Sequence, residues 1–287
     1  MSKNKSMAYQ VKQQLGNITC FGRSKHADKK PGNRFHPNGI YSVGTYNNYV
    51  NKCTAFCNWC KVTHGCRTVD ACKSYITEYL DQYSPGKSAW SINTVKYAIQ
   101  KLYDAREHGF KVDYVTPRRR RVDITKNRGE ISDVKNFNEK KYTRELNFGC
   151  ATGARRSAML KLEYRDIYEK DGEVYVHFEK DKGGKTRDVK IMPRYREFIR
   201  TFIGQGAEHE KVFSRLPVRF PEHRCRRHFA QEYYSKLARD IKGIPESDRY
   251  ICRFDKYGRV YDRKAMLAVS EALGHGRVDV MALHYLE

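Results

Sequence analysis

Residues 172–191 have the sequence GEVYVHFEKDKGGKTRDVKI, which contains the clearest β-strand pattern in the second half of the chain. Apolar side chains alternate with polar ones at Val174, Val176 and Phe178, which is the period of a half-buried β-strand. A Gly-Gly turn follows, and residues 186–191 then predict a returning strand. We therefore predict a β-hairpin with lysines at its tip.

Helices are predicted on both sides of this hairpin, because apolar residues there recur at helical spacing. The predicted helices cover residues 137–149, 154–162, 193–202, 222–237, 263–272 and 278–285. Together with the hairpin they predict an α+β domain over residues 131–287, mostly α with a small β-sheet.

The first half of the chain has helical spacing only, at residues 43–64, 68–83 and 88–108. We therefore predict an all-α domain over residues 39–111. Residues 1–38 are polar and basic without a sustained apolar period, which predicts a flexible arm.

Residues 112–130 predict a basic linker between the two domains. Pro117 is followed there by Arg118, Arg119, Arg120 and Arg121, a run that no helix core can absorb. The run is either a solvated linker or a basic strap that lies along phosphates.

The overall charge points to a polyanionic partner. The 287 residues include 56 Lys and Arg against 33 Asp and Glu, a formal charge of +23, and such an excess repels itself unless a polyanion screens it. Nucleic acid is the expected polyanion. A membrane surface is disfavoured because no stretch approaches ~18 apolar residues and no apolar signal follows Met1. We expect a soluble, cytoplasmic, nucleoid-associated protein.

Nine cysteines without a secretory signal predict reduced thiols. Cys53, Cys57, Cys60 and Cys66, with His64 nearby, are of the types that bind zinc. Positions 53, 57 and 60 also share one helix face, where free cysteine packs as a small apolar residue. The pattern favours core packing with zinc as the alternative, and we expect no metal or other cofactor.

Four separated clusters in the second half have the residue types that phosphoryl transfer needs. They are Arg155, Lys182, His223 with Arg226, and His275 with Tyr285. Each also has an ordinary interpretation, because arginine on a helix usually faces solvent, histidine often caps a helix or packs in a core, and Tyr285 is one of 21 tyrosines. Lys180 and Lys185 are alternatives to Lys182 on the same hairpin.

In their order and local context these clusters resemble the tyrosine site-specific recombinases of the phage-integrase family. The matching segments are Ala151-Thr-Gly-Ala-Arg155, Lys182-Gly-Gly-Lys-Thr-Arg187, His223-Arg-Cys-Arg226 and Leu273-Gly-His275 with Tyr285. The resemblance implies an active site made of Arg155, Lys182, His223, Arg226, His275 and Tyr285. It also implies that the all-α domain is a core-binding domain and that the α+β domain is catalytic.

Elementary chemistry agrees with these roles. A phosphodiester under attack spreads negative charge over its non-bridging oxygens, and the forks of Arg155 and Arg226 can bind two of them. Lys182 can donate a proton to the 5′-oxygen leaving group, and His223 and His275 can hydrogen-bond the phosphate or handle the tyrosyl proton. Tyr285 would be the covalent nucleophile.

The implied function is the cleavage and rejoining of DNA through a 3′-phosphotyrosine, for integration and excision of a mobile element. The implied partners are double-stranded DNA with inverted-repeat core sites, a homotetramer on two duplexes and an accessory DNA-bending protein. The arginine run at 118–121, Lys185 and Arg187 are expected to contact DNA. The alternatives are a non-catalytic DNA-binding regulator and a relaxing enzyme similar to type IB topoisomerases.

Two departures from the family pattern stand out. The family often has an acidic residue three positions after the first arginine, where this chain has Ala158, so support of Arg155 must come from elsewhere. The interval from His275 to Tyr285 is ten residues, one longer than usual.

Overall fold

The computed structural model of the protein describes residues 5–23, 25–28, 39–118, 137–181, 185–253 and 256–286. The chain divides into two compact units, Met1–Ile124 and Thr125–Glu287. Each unit has its own hydrophobic core. None of the helices in these described ranges is both long enough and apolar enough to cross a membrane.

The N-terminal unit is built around a long helix. Its α-helices are α1 (Met7–Gly16), α2 (Lys25–Asp28), α3 (Val43–His64), α4 (Ile76–Tyr83) and α5 (Ala89–Asp104), with a 3-10 helix at Asp70–Tyr75. Ser42 caps the start of α3 by accepting from the Thr45 amide, and Gly65 ends it in the left-handed conformation. Helices α1 and α5 both pack against α3.

The prediction of a flexible arm over residues 1–38 is wrong for helix α1. Met7, Val11 and Leu15 lie on one face of α1 and are buried in the core of the unit. Three apolar residues at a spacing of four make only a short stripe, and the other residues of α1 are mostly polar, so the helical pattern was weak in the sequence. Because α1 packs against α3 and α5, it is part of the folded unit.

The cysteines of α3 lie in the same core. Cys53, Cys57 and Cys60 are fully buried, and the Cys53 thiol donates to the Ala98 carbonyl at 3.2 Å. Burial raises the pKa of Cys53, so this thiol stays protonated at neutral pH. Across the residues that the structure describes, His, Cys, Asp and Glu side chains form no group of three or more that could hold a metal ion.

The C-terminal unit is α+β, as predicted. Its α-helices are α6 (Thr143–Thr152), α7 (Arg156–Met159), α8 (Pro193–Arg200), α9 (Glu222–Leu237), α10 (Arg263–Ala272) and α11 (Asp279–His284). Its strands are β1 (Ile167–Lys170), β2 (Glu173–Asp181), β3 (Lys185–Lys190), β4 (Arg249–Ile251) and β5 (Val260–Asp262). Short 3-10 helices lie at Tyr164–Asp166, Ile241–Gly243 and Glu246–Asp248.

The predicted hairpin is confirmed as strands β2 and β3 of a three-stranded antiparallel sheet in the order β1-β2-β3. Val176 pairs with Val189, and the alternating apolar residues of β2 face the core. The register shifts between Phe178 and Asp181. Strand β2 continues to Asp181, beyond the predicted end of its alternation at Phe178.

A second sheet, formed by β4 and β5, was not predicted because each strand has only three residues. Asp262 at the end of β5 is fully buried and caps α10 by accepting from the Lys264 and Ala265 amides. The same carboxylate binds Arg239 through its Nε and Nη2 atoms, each at 2.8 Å. Asp262 therefore joins this sheet, α10 and the segment after α9.

Candidate active site

Gly153 ends helix α6 and sets the direction of the chain toward Arg155. Its φ of 59° lies in the left-handed region, which favours glycine. A Cβ atom at this position would lie 2.6 Å from Leu273 Cδ2 and 2.9 Å from Phe229 Cδ1. The glycine of the Thr-Gly-Ala-Arg segment is therefore required by both conformation and packing, and it lets the end of α6 pack closely against α9 and Leu273.

Arg226, on α9, is the largest fully buried side chain of the described residues, with 1% exposed. It donates from Nη1 to the Gly153 carbonyl at 2.6 Å and from Nη2 to the Leu273 carbonyl at 2.9 Å. These hydrogen bonds join three segments that are far apart in the sequence. A buried cation needs such partners, because an unpaired one would be strongly destabilising.

His275 and Tyr285 meet at the same guanidinium. Arg226 Nε donates to the Tyr285 hydroxyl at 3.3 Å, and Arg226 Nη2 lies 3.0 Å from His275 Nε2. His275 Nε2 and the Tyr285 hydroxyl lie 3.1 Å apart. Tyr285 follows α11 directly and is buried with 7% exposed. The structure thus brings together three of the predicted site residues around one phenolic oxygen.

The turn before His275 depends on glycine. Gly274 and Gly276 have φ values of 73° and 70°, so the chain reverses on both sides of the histidine. The His275 amide donates to the Ser270 carbonyl at 2.8 Å, which fixes the turn to α10. The Leu-Gly-His segment therefore places its imidazole beside Arg226.

Arg155 lies next to an acidic residue that the sequence analysis did not identify. Arg155 Nη1 donates to Asp181 Oδ2 at 2.7 Å, and Arg187 Nε donates to the same oxygen at 3.4 Å. Asp181 is 6% exposed. This carboxylate, on β2, gives Arg155 the acidic partner that Ala158 does not provide.

Arg187 is buried as well, with 8% exposed, although the sequence analysis expected it to contact DNA. It donates from Nη1 to the Ala272 carbonyl and lies over the Phe178 ring, 4.4 Å from its centroid. Burial, followed by the charges of Arg226 and Arg155, lowers the pKa of Arg187 to about 10, while Asp181 opposes this change.

The site is strongly electropositive. Burial is the main cause that lowers the pKa of Arg226, and the nearby charge of Arg155 adds to it. The described contacts therefore include three guanidinium groups and one carboxylate. A second anion would relieve this excess, and a phosphate has the oxygen geometry that guanidinium forks bind.

His223 occupies a different environment from Arg226, although both lie in the first turns of α9. Its side chain is 57% exposed, and its Nε2 atom lies 3.9 Å from Glu222. The structure therefore places the imidazole at the surface rather than in the buried cluster.

The remaining predicted residues lie partly outside the described residues. Lys182, the arginines at 119–121 and the side chain of Lys185 lie outside the described residues. Arg118 is described and is exposed.

Sequence reasoning missed Asp181 because aspartate beside a hairpin turn is common and usually faces solvent. Two signals were available in the sequence. Ala158 left Arg155 without its expected acidic neighbour, and Asp181 directly precedes the predicted Lys182.

Comparisons with known proteins gave structural neighbours only. No protein-family model matches the chain, and no curated protein matches it by sequence. One similar solved structure is the XerH site-specific recombinase bound to palindromic difH substrate in a post-cleavage complex. It has 12% identity and a TM-score of 0.45, covering 97% of this chain and 90% of that one. The pre-cleavage complex of XerH with difH has 12% identity and a TM-score of 0.43, covering 99% and 95%. The XerA recombinase has 12% identity and a TM-score of 0.31, covering 97% and 93%.

Proposed function

We propose that the protein is a site-specific DNA recombinase that cleaves and rejoins strands through a 3′-phosphotyrosine at Tyr285. The observation that carries the proposal is the environment of the Tyr285 hydroxyl. This oxygen lies 3.3 Å from Arg226 Nε and 3.1 Å from His275 Nε2 inside a buried cluster. A phenol becomes a nucleophile when a base removes its proton and a cation stabilises the resulting charge, and these two neighbours can supply both.

The proposed chemical step is a transesterification. The Tyr285 oxygen bonds to the scissile phosphorus while its proton passes to His275, and the bond from phosphorus to the 5′-oxygen breaks. Arg155 and Arg226 neutralise the non-bridging oxygens as charge develops on them. Lys182, which follows Asp181 in the chain, protonates the leaving oxygen as the general acid.

The tyrosyl ester conserves the free energy of the broken phosphodiester. The 5′-hydroxyl of another strand can therefore attack it and restore a phosphodiester without ATP. In the proposed cycle four protomers act on two duplexes at inverted-repeat core sites, in order to integrate and excise a mobile element. An accessory DNA-bending protein is a further proposed partner.

Binding to DNA is expected to depend mainly on charge. The chain has a formal charge of +23. The arginine run at 118–121 and Lys185 on the hairpin are the proposed contacts with the DNA phosphates. Lysine and arginine side chains that neutralise phosphates bind any sequence, so they position the duplex rather than select it.

Covalent capture tests the proposal. The probe is a library of nicked duplexes with a randomised central segment, in which the short fragment beyond the nick diffuses away after cleavage and religation fails. Wild-type protein should form a DNA-linked species that survives boiling in detergent, and peptide mapping should find the nucleotide on Tyr285. The Tyr285→Phe variant should bind the same duplexes with similar affinity and form no adduct, because it lacks only the hydroxyl.

Tyr257→Phe is the matched control, since this tyrosine is 86% exposed and lies in the same unit. It should form the adduct normally. An adduct in the Tyr285→Phe variant would move the nucleophile to another tyrosine, and the absence of any adduct in wild type would favour a non-catalytic DNA-binding regulator. Adduct formation and relaxation on duplexes without a paired site would favour an enzyme similar to type IB topoisomerases.

A further inference from the structure

We propose that Asp181 and Arg187 form a buried positioning pair that holds Arg155 in place for the scissile phosphate and couples the β2-β3 hairpin to the segment of His275. This inference rests on the proposed function. Neither residue is assigned a contact with the reacting atoms.

The first argument is the sharing of one oxygen atom. Asp181 Oδ2 accepts from Arg155 Nη1 at 2.7 Å and from Arg187 Nε at 3.4 Å. The Asp181 side chain is 2% exposed, so little water competes for this oxygen. Hydrogen bonds from ionised donors to a buried carboxylate are among the stronger ones, and they restrict the rotamers of both arginines.

The second argument is electrostatic. Arg155 and Arg187 are both cations, and without a carboxylate between them they would repel each other in a region with few water molecules. The side chain of Arg155 is 14% exposed and that of Arg187 is 6% exposed. Asp181 therefore allows two guanidinium groups to remain close together before an anionic substrate binds.

The third argument is connectivity. Arg187 binds the Ala272 carbonyl and Arg226 binds the Leu273 carbonyl, so two arginines hold consecutive carbonyls at the end of α10. His275 follows two residues later. A movement of the hairpin would therefore be transmitted through Arg187 to the segment that holds the imidazole.

The test compares Asp181→Asn with wild type on two nicked duplexes taken from the captured pool. One has an ordinary scissile phosphodiester, and the other has a methylphosphonate, in which a methyl group replaces one charged non-bridging oxygen. On the diester we expect cleavage to slow by about a hundredfold, the size of effect that a misplaced catalytic group produces. On the uncharged methylphosphonate the need for a positioned Arg155 falls, so the variant should cleave within about tenfold of wild type.

Two variants calibrate the comparison. Arg155→Ala should show the same pattern, which establishes that the methylphosphonate reports on Arg155. Asp188→Asn is the matched control, because Asp188 lies in the same hairpin with 50% of its side chain exposed and pairs with His177. It should cleave both substrates like wild type.

A second variant keeps the inference testable if Asp181→Asn fails to fold. Arg187→Lys keeps the charge but lacks the fork that reaches both Asp181 and the Ala272 carbonyl, so it should show the same selective defect at smaller size. Equal defects of Asp181→Asn and Arg187→Lys on both substrates, or normal cleavage of the diester by both, would overturn the inference. If wild-type protein cleaves neither substrate, the proposed function fails and the inference fails with it.

Discussion

Substitution of Gly153 by alanine tests how the candidate active site is held together. Two costs add at this position. The left-handed backbone, with φ at 59°, costs an L-residue about 1–2 kcal/mol. The new methyl group would lie 2.6 Å from Leu273 Cδ2 and 2.9 Å from Phe229 Cδ1, and both neighbours are fully buried, so overpacking adds about 1–3 kcal/mol.

Gly172 provides a matched control for the backbone cost. Its φ is 73°, and no atom lies within 4 Å of the position of its Cβ. Gly172→Ala should therefore lower the free energy of unfolding by about 1–2 kcal/mol, and Gly153→Ala by about 2–5 kcal/mol. Gly153→Asn separates the two costs, because asparagine tolerates the left-handed region but brings the same steric conflict.

Differential scanning calorimetry of the full chain measures these effects, with the two units treated as separate transitions. For a unit of this size each kcal/mol lowers Tm by about 2–4 °C. Both Gly153 variants should therefore have a Tm well below that of Gly172→Ala. The Tm of Gly153→Asn should be no higher than that of Gly153→Ala, because the steric conflict remains. Equal losses at the two glycines would refute the packing of Leu273 and Phe229 over the Arg155 turn.

The remaining predictions concern a buried carboxylate and DNA binding. Asp262→Asn should lower the free energy of unfolding by about 2 kcal/mol at pH 7, because it removes the charge that Arg239 and the α10 amides bind. The hydrogen bond from Arg239 is the main cause that lowers the pKa of Asp262, so this stabilisation is present above its ordinary pKa of about 3.9 and is lost as the pH falls below that value. Urea unfolding should thus show a smaller difference at pH 3 than at pH 7, and an equal difference at both would contradict the ion pair. DNA affinity in a gel-shift titration should fall by orders of magnitude between about 50 and 200 mM salt. A flat salt response in that titration would contradict a phosphate-binding role. Replacement of Arg118–Arg121 by serine should weaken binding to all DNA sequences about equally.

The sequence alone determined the local elements and the order of the candidate site residues. The bounds of α9 and α10 match the prediction, and the hairpin was located by its alternation, because periodicity reports directly which face of a segment is buried. The prediction failed where the local signal was short, as for α1 and for the three-residue strands β4 and β5. A stripe of three apolar residues or a strand of three residues gains most of its stability from the partner against which it packs.

The partners of each buried charged side chain depend on the tertiary structure. Arg155 and Asp181 are 26 residues apart in the sequence, and Arg187 reaches a carbonyl 85 residues away. Charged residues near a hairpin turn are usually solvated, so the sequence predicted a DNA contact for Arg187. The two signals for Asp181, Ala158 and the adjacent Lys182, did not show that this carboxylate is buried. Burial of these charges became favourable only when packing placed a carboxylate and backbone carbonyls around them, because a charge leaves water only where such partners are already in position.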